Sequence, residues 1–255
     1  MGLGHDETAN GRIAPHNPIA DDGDESKFCS TCAFGAVCVG RGVDKIGLNE
    51  LHCLVEHVGP YRAGESIFRT GNRFGAIFAV RLGTVKTRLV DMEGRELILG
   101  FYLPGELVGL NAIHPEIYPC DAVALDTVEV CRFSFPALAT LAMRIPQVQN
   151  ELFRRLSKDI GDASLRNQES SADERLAAFV LDLSARYEAR GFSGQSLHLS
   201  MSRSDIANYL GLASETVSRV LRRFQDGGLL GVDGREVTIN DAAALKDIAK
   251  NLLYR

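Results

Sequence analysis

Three of the six cysteines lie close together near the N-terminus, in the pattern Cys29-x2-Cys32-x5-Cys38. Thiolates are preferred ligands of zinc and of iron–sulfur clusters. In a chain without secretory features, clustered cysteines indicate metal or redox chemistry before structural disulfides. Ala33 and Gly35 are small, so the loop between the cysteines can wrap closely around a bulky group. Because four thiolates complete either kind of site, the residues themselves leave zinc and iron–sulfur open.

A second set of residues has the spacing of a DNA-reading helix. Glu215, Ser218 and Arg219 stand at positions i, i+3 and i+4, so on a helix they share one face. Arginine can donate two hydrogen bonds to guanine, and glutamate can accept one from cytosine. Arg222 and Arg223 follow one turn later, where they are placed to contact DNA phosphates. A simple exposed ion pair between Glu215 and Arg219 is the alternative, but the surrounding elements favour DNA.

Those elements follow the order of a winged helix-turn-helix, which is helix, tight turn, helix and hairpin. Ser202-x2-Asp205 is a helix-capping pattern, Gly211 supplies the turn, and Asp233-Gly234 is a strong hairpin signal. Helices are predicted over 171–188, 202–210 and 215–226, with a hairpin over 232–239. The predicted DNA-binding residues are Arg203, Ser214 (as cap of the reading helix), Glu215, Ser218, Arg219, Arg222 and Arg223.

The chain between the two sites shows two sequence patterns, one typical of strands and one typical of helices. From 61 to 135, short apolar runs are separated by glycines, which predicts the short strands of an antiparallel β-roll. A helix is predicted before it, over 49–58. After Pro136 the pattern becomes helical, and an apolar stripe recurs every fourth residue along a charged helix. Packing within one subunit and pairing between two subunits both explain such a stripe. We predict pairing through Val148, Leu152, Leu156 and Ile160.

Composition and charge limit the class of protein to which the chain can belong. The chain has 255 residues, 45% of them hydrophobic and 24% charged, as in a folded protein of two domains. No apolar run is long enough to cross a bilayer and no secretory signal is visible, which predicts a cytoplasmic protein without membrane contact. Residues 1–28 hold six acids and two bases, so this predicted disordered tail carries −4 of the net charge of −5. The overall acidity therefore does not argue against DNA.

These motifs together resemble the cyclic-AMP receptor protein superfamily, and within it the FNR branch, the fumarate and nitrate reduction regulators. The resemblance covers nearly all of the chain after the tail, including 83–86 and 100–109 in the roll and 201–219 in the helix-turn-helix. The cysteine spacing is its most specific part, because it matches the N-terminal motif of the oxygen-sensing members.

The resemblance implies a cofactor and partners. It implies one 4Fe-4S cluster per subunit, held by Cys29, Cys32, Cys38 and a distant fourth cysteine, which is Cys131 by its surroundings. Cys120 is the alternative fourth ligand, and Cys53 is expected to be a small buried helical residue. The resemblance also implies a homodimer that binds a palindromic TTGAT…ATCAA site in double-stranded DNA and works with RNA polymerase.

Two segments depart from the superfamily pattern. Where nucleotide-binding members carry an Arg-Ser or Arg-Thr pair, this chain has Pro119-Cys120-Asp121, so we predict no cyclic nucleotide. FNR proteins place an acid in the dimer helix at the position of Ala163, for which Asp159 or Asp162 would have to substitute.

The sequence thus predicts an α+β protein: a tail over 1–28, a cysteine loop with a β-roll sensor domain over 29–140, a long dimerisation helix over 141–170 and a winged helix-turn-helix over 171–255. Its predicted function is oxygen-responsive control of anaerobic or low-oxygen transcription. The alternative is a regulator of the same superfamily whose cysteines hold zinc or form a thiol switch. An enzyme is not expected, because no nucleotide loop or catalytic arrangement is present.

Overall fold

The computed structural model describes residues 29–166 and 170–253, so the predicted tail lies outside the described residues, as do the side chains from 162 to 169. The helices are α1 (Lys45–His52), α2 (Phe135–Arg144), α3 (Pro146–Arg166), α4 (Ala172–Glu188), α5 (Arg203–Leu210), α6 (Ser214–Asp226) and α7 (Ala242–Leu253). The strands are β1 (Val55–Tyr61), β2 (Ser66–Phe68), β3 (Ala76–Leu82), β4 (Val85–Val90), β5 (Glu96–Tyr102), β6 (Leu107–Val108), β7 (Asp121–Ala124), β8 (Val128–Ser134), β9 (Ser196–His198), β10 (Leu230–Asp233) and β11 (Glu236–Ile239). No helix in these described ranges is long and apolar enough to cross a membrane.

Strands β1 to β8 form the expected antiparallel roll from two four-stranded sheets, in the orders β1-β8-β3-β6 and β2-β7-β4-β5. Aromatic side chains fill the space between the sheets, with the rings of Phe68 and Tyr118 stacked at 4.0 Å between centroids. The turn at Asp91-Met92-Glu93-Gly94 joins β4 to β5, and Gly94 has a φ of 78°, which glycine adopts without strain.

The prediction of a helix over 49–58 is wrong in its second half. Helix α1 ends at His52, and the chain enters β1 at Val55. Pairing with the buried strand β8 decides this, because Val55 and Val58 both find partners in that ladder. Tertiary pairing of this kind overrides local helical pattern. Cys53, expected to be buried on a helix, is instead exposed at the C-cap of α1.

The predicted dimerisation helix over 141–170 is mainly α3, which begins at Pro146 because proline suits the first helical position; residues 141–144 belong to α2. Its apolar stripe is divided between two environments. Val148 is fully buried in the core of its own roll, and Leu152 and Leu156 pack partly against the same core. Ile160 is 69% exposed and Phe153, outside the predicted stripe, is 59% exposed. The assignment of Val148 to a subunit interface is therefore wrong, since no partner can reach it.

The C-terminal part is a winged helix-turn-helix, as predicted. Ser171 and Ser202 cap α4 and α5 through capping boxes with Glu174 and Asp205, and Gly211 ends α5 in the left-handed conformation. The wing has three strands, in the order β10-β11-β9, of which the sequence predicted two. Strand β9 was missed because three residues are too short for a periodic pattern.

Candidate metal centre and nucleic-acid interface

The structure brings the N-terminal cysteine loop against the strand that carries Cys131. The loop turns tightly, with Gly35 N donating to the carbonyl of Cys32 at 3.0 Å, and Cys38 follows a short 3-10 turn. Cys29, Cys38 and Cys131 all pack, partly buried, against one apolar core made by the roll and its helices. The N-terminal cysteine loop and the distant Cys131 thus come to one side of the roll.

The ionisation of these thiols reflects their proximity. Burial, together with negative charge on neighbouring cysteines, raises the pKa of Cys29 to about 12 and that of Cys38 to about 11. Burial also raises the pKa of Cys131, and charge on Cys38, Cys29 and Cys32 adds to that shift. Because the thiolates repel one another in a partly dehydrated place, the site favours thiolates only when a cationic centre is present.

The donor set fits soft-metal chemistry in residue type. Within 29–166 and 170–253, no three His, Cys, Asp or Glu side chains are arranged to hold a metal ion. A cubane spreads its four thiolates over four iron atoms, so its ligands lie farther apart than those of one ion. If such a cluster binds, Cys29, Cys32, Cys38 and Cys131 would hold it.

The other two cysteines lie elsewhere. Cys120 is fully buried between the sheets of the roll, where Asn111 Nδ2 lies 3.5 Å from its Sγ. Burial raises the pKa of Cys120, and negative charge on Asp121 adds to this shift. No other cysteine contributes to the shift of Cys120. Cys53 is exposed. This placement favours Cys131 over Cys120 as the fourth thiolate.

Sequence reasoning missed two cationic or polar neighbours of Cys131. His57 stands directly opposite Cys131 in the ladder of β1 and β8, and its Nδ1 lies 3.6 Å from the sulfur. Arg81 NH1 approaches the same His57 nitrogen at 3.5 Å, and its charge lowers the pKa of Cys131 against the larger effect of burial. The predicted helix over 49–58 concealed this pair, because register across β1 was needed to find it.

Helix α6 exposes the predicted reading face. Its apolar side chains Val217, Val220, Leu221 and Phe224 are buried in the domain. Glu215, Ser218 and Arg219 are exposed near its N-terminal end, where helix-turn-helix proteins contact bases. Arg222 is exposed one turn later and lies beside a groove of about 490 Å³ between α6 and the wing.

Three predicted DNA-contacting residues have local roles in this structure. Ser214 is the first residue of α6 and not its cap, since the N-cap is Ala213 without a side-chain bond. Arg203 donates to the carbonyl of Gly234 at 2.7 Å and so holds the tip of the wing. Arg223 pairs with Asp173 at the start of α4, an exposed contact of small energetic value.

The reading domain is docked on the roll of its own chain, which the sequence did not reveal. Lys86 Nζ in β4 lies 2.7 Å from Asp205 Oδ1 in α5, and both side chains are largely buried. Asn208 binds the backbone of β5 twice, accepting from Ile98 N at 2.7 Å and donating to the carbonyl of Glu96 at 2.6 Å. These bonds fix the orientation of α6 relative to the roll.

A buried ion cluster strengthens that docking. Glu106, at the turn before β6, accepts from Arg186 of α4 at 2.6 Å and from Arg190, just after the end of α4, at 2.7 Å. Burial by itself would raise the pKa of Glu106, but the two arginines hold it at about 2. Arg186 in the last turn of α4 and Arg190 just after it were the available sequence signal, since arginines that become buried need an acidic partner.

A β-roll joined through a long helix to a winged helix-turn-helix with an exposed reading face defines a class: DNA-binding transcription regulators. Two protein-family models match the chain, one in each half, and both support this class. Residues 58–144 match the cyclic nucleotide-binding domain, and residues 174–248 match the Crp-like helix-turn-helix domain.

Relatives define the family more closely. The chain is 43% identical over 224 residues to the transcriptional activator protein Anr of Pseudomonas aeruginosa, covering 87% of this chain and 92% of that protein. It is 38% identical over 224 residues to the fumarate and nitrate reduction regulatory protein of Salmonella typhi, covering 87% and 90%. The solved structure of FixK2 from Bradyrhizobium japonicum shares 28% identity and a TM-score of 0.68, covering 76% of this chain and 96% of that one.

This protein belongs to the FNR branch of the cyclic-AMP receptor protein superfamily. It is a transcription regulator and not an enzyme, since its relatives are regulators and its two domains are regulatory and DNA-binding.

Proposed function

We propose that this regulator senses oxygen through one 4Fe-4S cluster per subunit and binds a two-fold DNA site as a homodimer in the cytoplasm. Its role would be to control anaerobic or low-oxygen transcription together with RNA polymerase. The observation that carries this proposal is the meeting of the Cys29, Cys32 and Cys38 loop with Cys131 in one partly buried site. The similarity to anaerobic regulators supports the choice of iron–sulfur over zinc.

When bound, the cluster would supply an oxygen-reactive centre whose loss frees its four thiolate ligands. Cys29, Cys32 and Cys38 would tie the loop to β8 through Cys131. Loss of that tie would release the loop from the roll and from α3, against which it packs.

While the cluster is bound, helix α3 would present its outer face to a second copy. Phe153 and Ile160 are exposed apolar residues seven positions apart, the repeat of a paired helix. Phe153 and Ile160 replace Val148 as our proposed contacts, with Leu156 at the edge of the same face.

DNA binding would follow from dimerisation because each reading domain is docked on its own roll. Pairing of two α3 helices would bring two α6 helices into one two-fold assembly. Binding to a palindrome requires them about 34 Å apart, one turn of DNA. Glu215, Ser218 and Arg219 would read the bases of TTGAT half-sites, and Arg222 would contact phosphate.

The proposal that no cyclic nucleotide binds rests on charge. Asp121 lies in the segment where nucleotide-binding members carry a cation, and its Oδ1 accepts from Thr70 N and Oγ1 at 2.9 and 3.1 Å. The nearby Arg88 is paired with Asp121 Oδ2 at 3.5 Å and with Glu96, so carboxylates already occupy the cation that a cyclic phosphate would need.

The test is the iron, acid-labile sulfide and zinc content of protein purified without oxygen, before and after exposure to air. We expect about four iron and four sulfide per chain, with visible absorption that bleaches in air. In parallel, anisotropy of a labelled TTGAT-N4-ATCAA duplex should show binding that air abolishes. One zinc per chain without colour, or air-insensitive DNA binding, would contradict the sensor and leave a zinc- or thiol-based regulator.

A further inference from the structure

We infer that Arg155 is a positioning residue that couples the cysteine loop to helix α3, and hence the state of the loop to dimerisation. The inference rests on the proposed function and names the contact through which it would act. Arg155 Nη2 donates to the carbonyl of Val37 at 2.5 Å, one residue before Cys38. Its Nε donates to Glu151 Oε1 at 2.7 Å, one helical turn back.

Glu151 fixes the helical end of this link. Its side chain is only 4% exposed, so its carboxylate needs cationic partners. Arg155 supplies one and Arg154 supplies the other, at 3.0 Å from Oε2. Because the guanidinium is planar and its donors form a rigid fork, the bond to Glu151 sets the direction in which Arg155 reaches the loop.

Val37 fixes the loop end. Its amide donates to the carbonyl of Phe34 at 3.0 Å within the 3-10 turn. Its side chain rests on Gly105, where a Cβ would come within 2.6 Å of Val37 Cγ2. The carbonyl of Val37, one residue before Cys38, is therefore held between the roll and α3.

The opposite side of α3 carries the proposed subunit contact. Phe153 precedes Arg155 by two residues, which places it across the helix, and Ile160 shares its exposed face. Arg155 itself is only 19% exposed, on the side that faces the roll. The loop is thus bonded to one face of a rigid helix, and the partner subunit would bind the other face. Ordering of the loop would therefore fix the position of Phe153 and Ile160 for pairing.

Arg155→Lys tests this link, with Arg154→Lys as the matched control. Both arginines bind the same carboxylate, but Arg154 is 60% exposed and Arg155 also reaches the loop. Lysine keeps a charge beside Glu151 and lacks the fork that spans both partners. All variants would be loaded with cluster anaerobically as the full chain, and their dimer dissociation constants compared by sedimentation.

We expect Arg155→Lys to weaken the cluster-loaded dimer by about tenfold or more and Arg154→Lys to change it less than about twofold. Hydrogen exchange separates coupling from stability. In the wild type, loading should slow exchange in both the loop and α3, whereas in Arg155→Lys it should slow exchange in the loop alone. Arg155→Gln, which also removes the charge, should show the same uncoupling.

The failures are distinguishable. If the wild type takes up no cluster, the proposed sensor function is wrong and this inference falls with it. If the wild type loads and dimerises but Arg155→Lys dimerises as tightly as Arg154→Lys, with α3 still protected on loading, the inference about Arg155 is wrong and the sensor function stands.

Discussion

Glu106 Oε2 lies 2.6 Å from Arg186 NH2, in a largely buried ion pair that joins the β-roll to the first helix of the DNA-binding domain. The pair is completed by Arg190. Because these contacts lie within one chain, they fix the reading domain to the roll that carries the cysteine site.

Glu106→Gln should lower the free energy of unfolding at neutral pH. The pKa of Glu106 is about 2 against an ordinary value of 4.5. A lowered carboxyl pKa stabilises the folded chain above about pH 4.5, and this contribution, about 3 kcal/mol, disappears as the pH falls towards 2. Urea unfolding at several pH values between 3 and 7 measures it. The wild type should lose more stability on acidification than Glu106→Gln, and Glu93→Gln, in an exposed pair with Arg95, should behave as the wild type.

Cys131→Ser should lose iron and sulfide when the protein is reconstituted without oxygen. Serine removes one thiolate, and the loop would no longer be tied to β8. Iron per chain and visible absorption provide the measurement. Cys53→Ser and Cys120→Ser are the controls, because Cys53 is exposed and Cys120 lies inside the roll. Full cluster content in Cys131→Ser, with loss in Cys120→Ser, would move the fourth ligand to Cys120.

Arg219→Ala should cost about 1–3 kcal/mol of DNA-binding free energy per half-site and relax base preference there. The expected reason is loss of two hydrogen bonds to guanine. Arg222→Ala, by contrast, should weaken all sequences alike and reduce the slope of log K against log salt by about one unit. Titration of matched and mutated duplexes at several salt concentrations distinguishes the two. Equal losses on every duplex for Arg219→Ala would remove it from base reading.

Ile160→Asp should prevent dimerisation and leave the melting temperature of the monomer nearly unchanged, because Ile160 is exposed. Val148→Ala should instead lower the melting temperature and leave dimerisation nearly unchanged. It empties part of a core in which Val148 is fully buried, at a cost of roughly 2 kcal/mol. Anaerobic sedimentation and thermal unfolding of both variants give the comparison. A dimer that survives Ile160→Asp would place the subunit interface on another surface.

Gly105→Ala should destabilise the cysteine loop. Gly105 has a φ of 87°, which alanine adopts only with strain, and the added methyl group would meet Val37. Faster hydrogen exchange in 34–41 would show the effect. Gly94→Ala carries a similar φ penalty at the β4–β5 turn, where nothing lies within 4 Å of the new methyl group. Equal loop exchange in the two variants would contradict a contact between Gly105 and the loop.

Periodicity and capping chemistry were sufficient to predict the reading helix. The apolar positions of α6 alternate with exposed ones at helical spacing, and Ser202 with Asp205 gives α5 an unmistakable start. These are local properties, since a helix completes its backbone hydrogen bonds within itself. The cap of α6 was misassigned to Ser214 by one residue because the chain needed no side-chain bond there.

The sequence by itself determined the two kinds of chemistry, the thiol motif and the reading face, and the order of the elements that carry them. Only the tertiary structure decided which distant residues meet: His57 beside Cys131, Arg155 on the carbonyl of Val37, and Asn208 on the edge of β5. It also decided that Val148 faces inward and Ile160 outward on a single stripe. The physical reason is that strand register and helix packing are settled by contacts between residues far apart in the chain, which leave no periodic trace near any one of them.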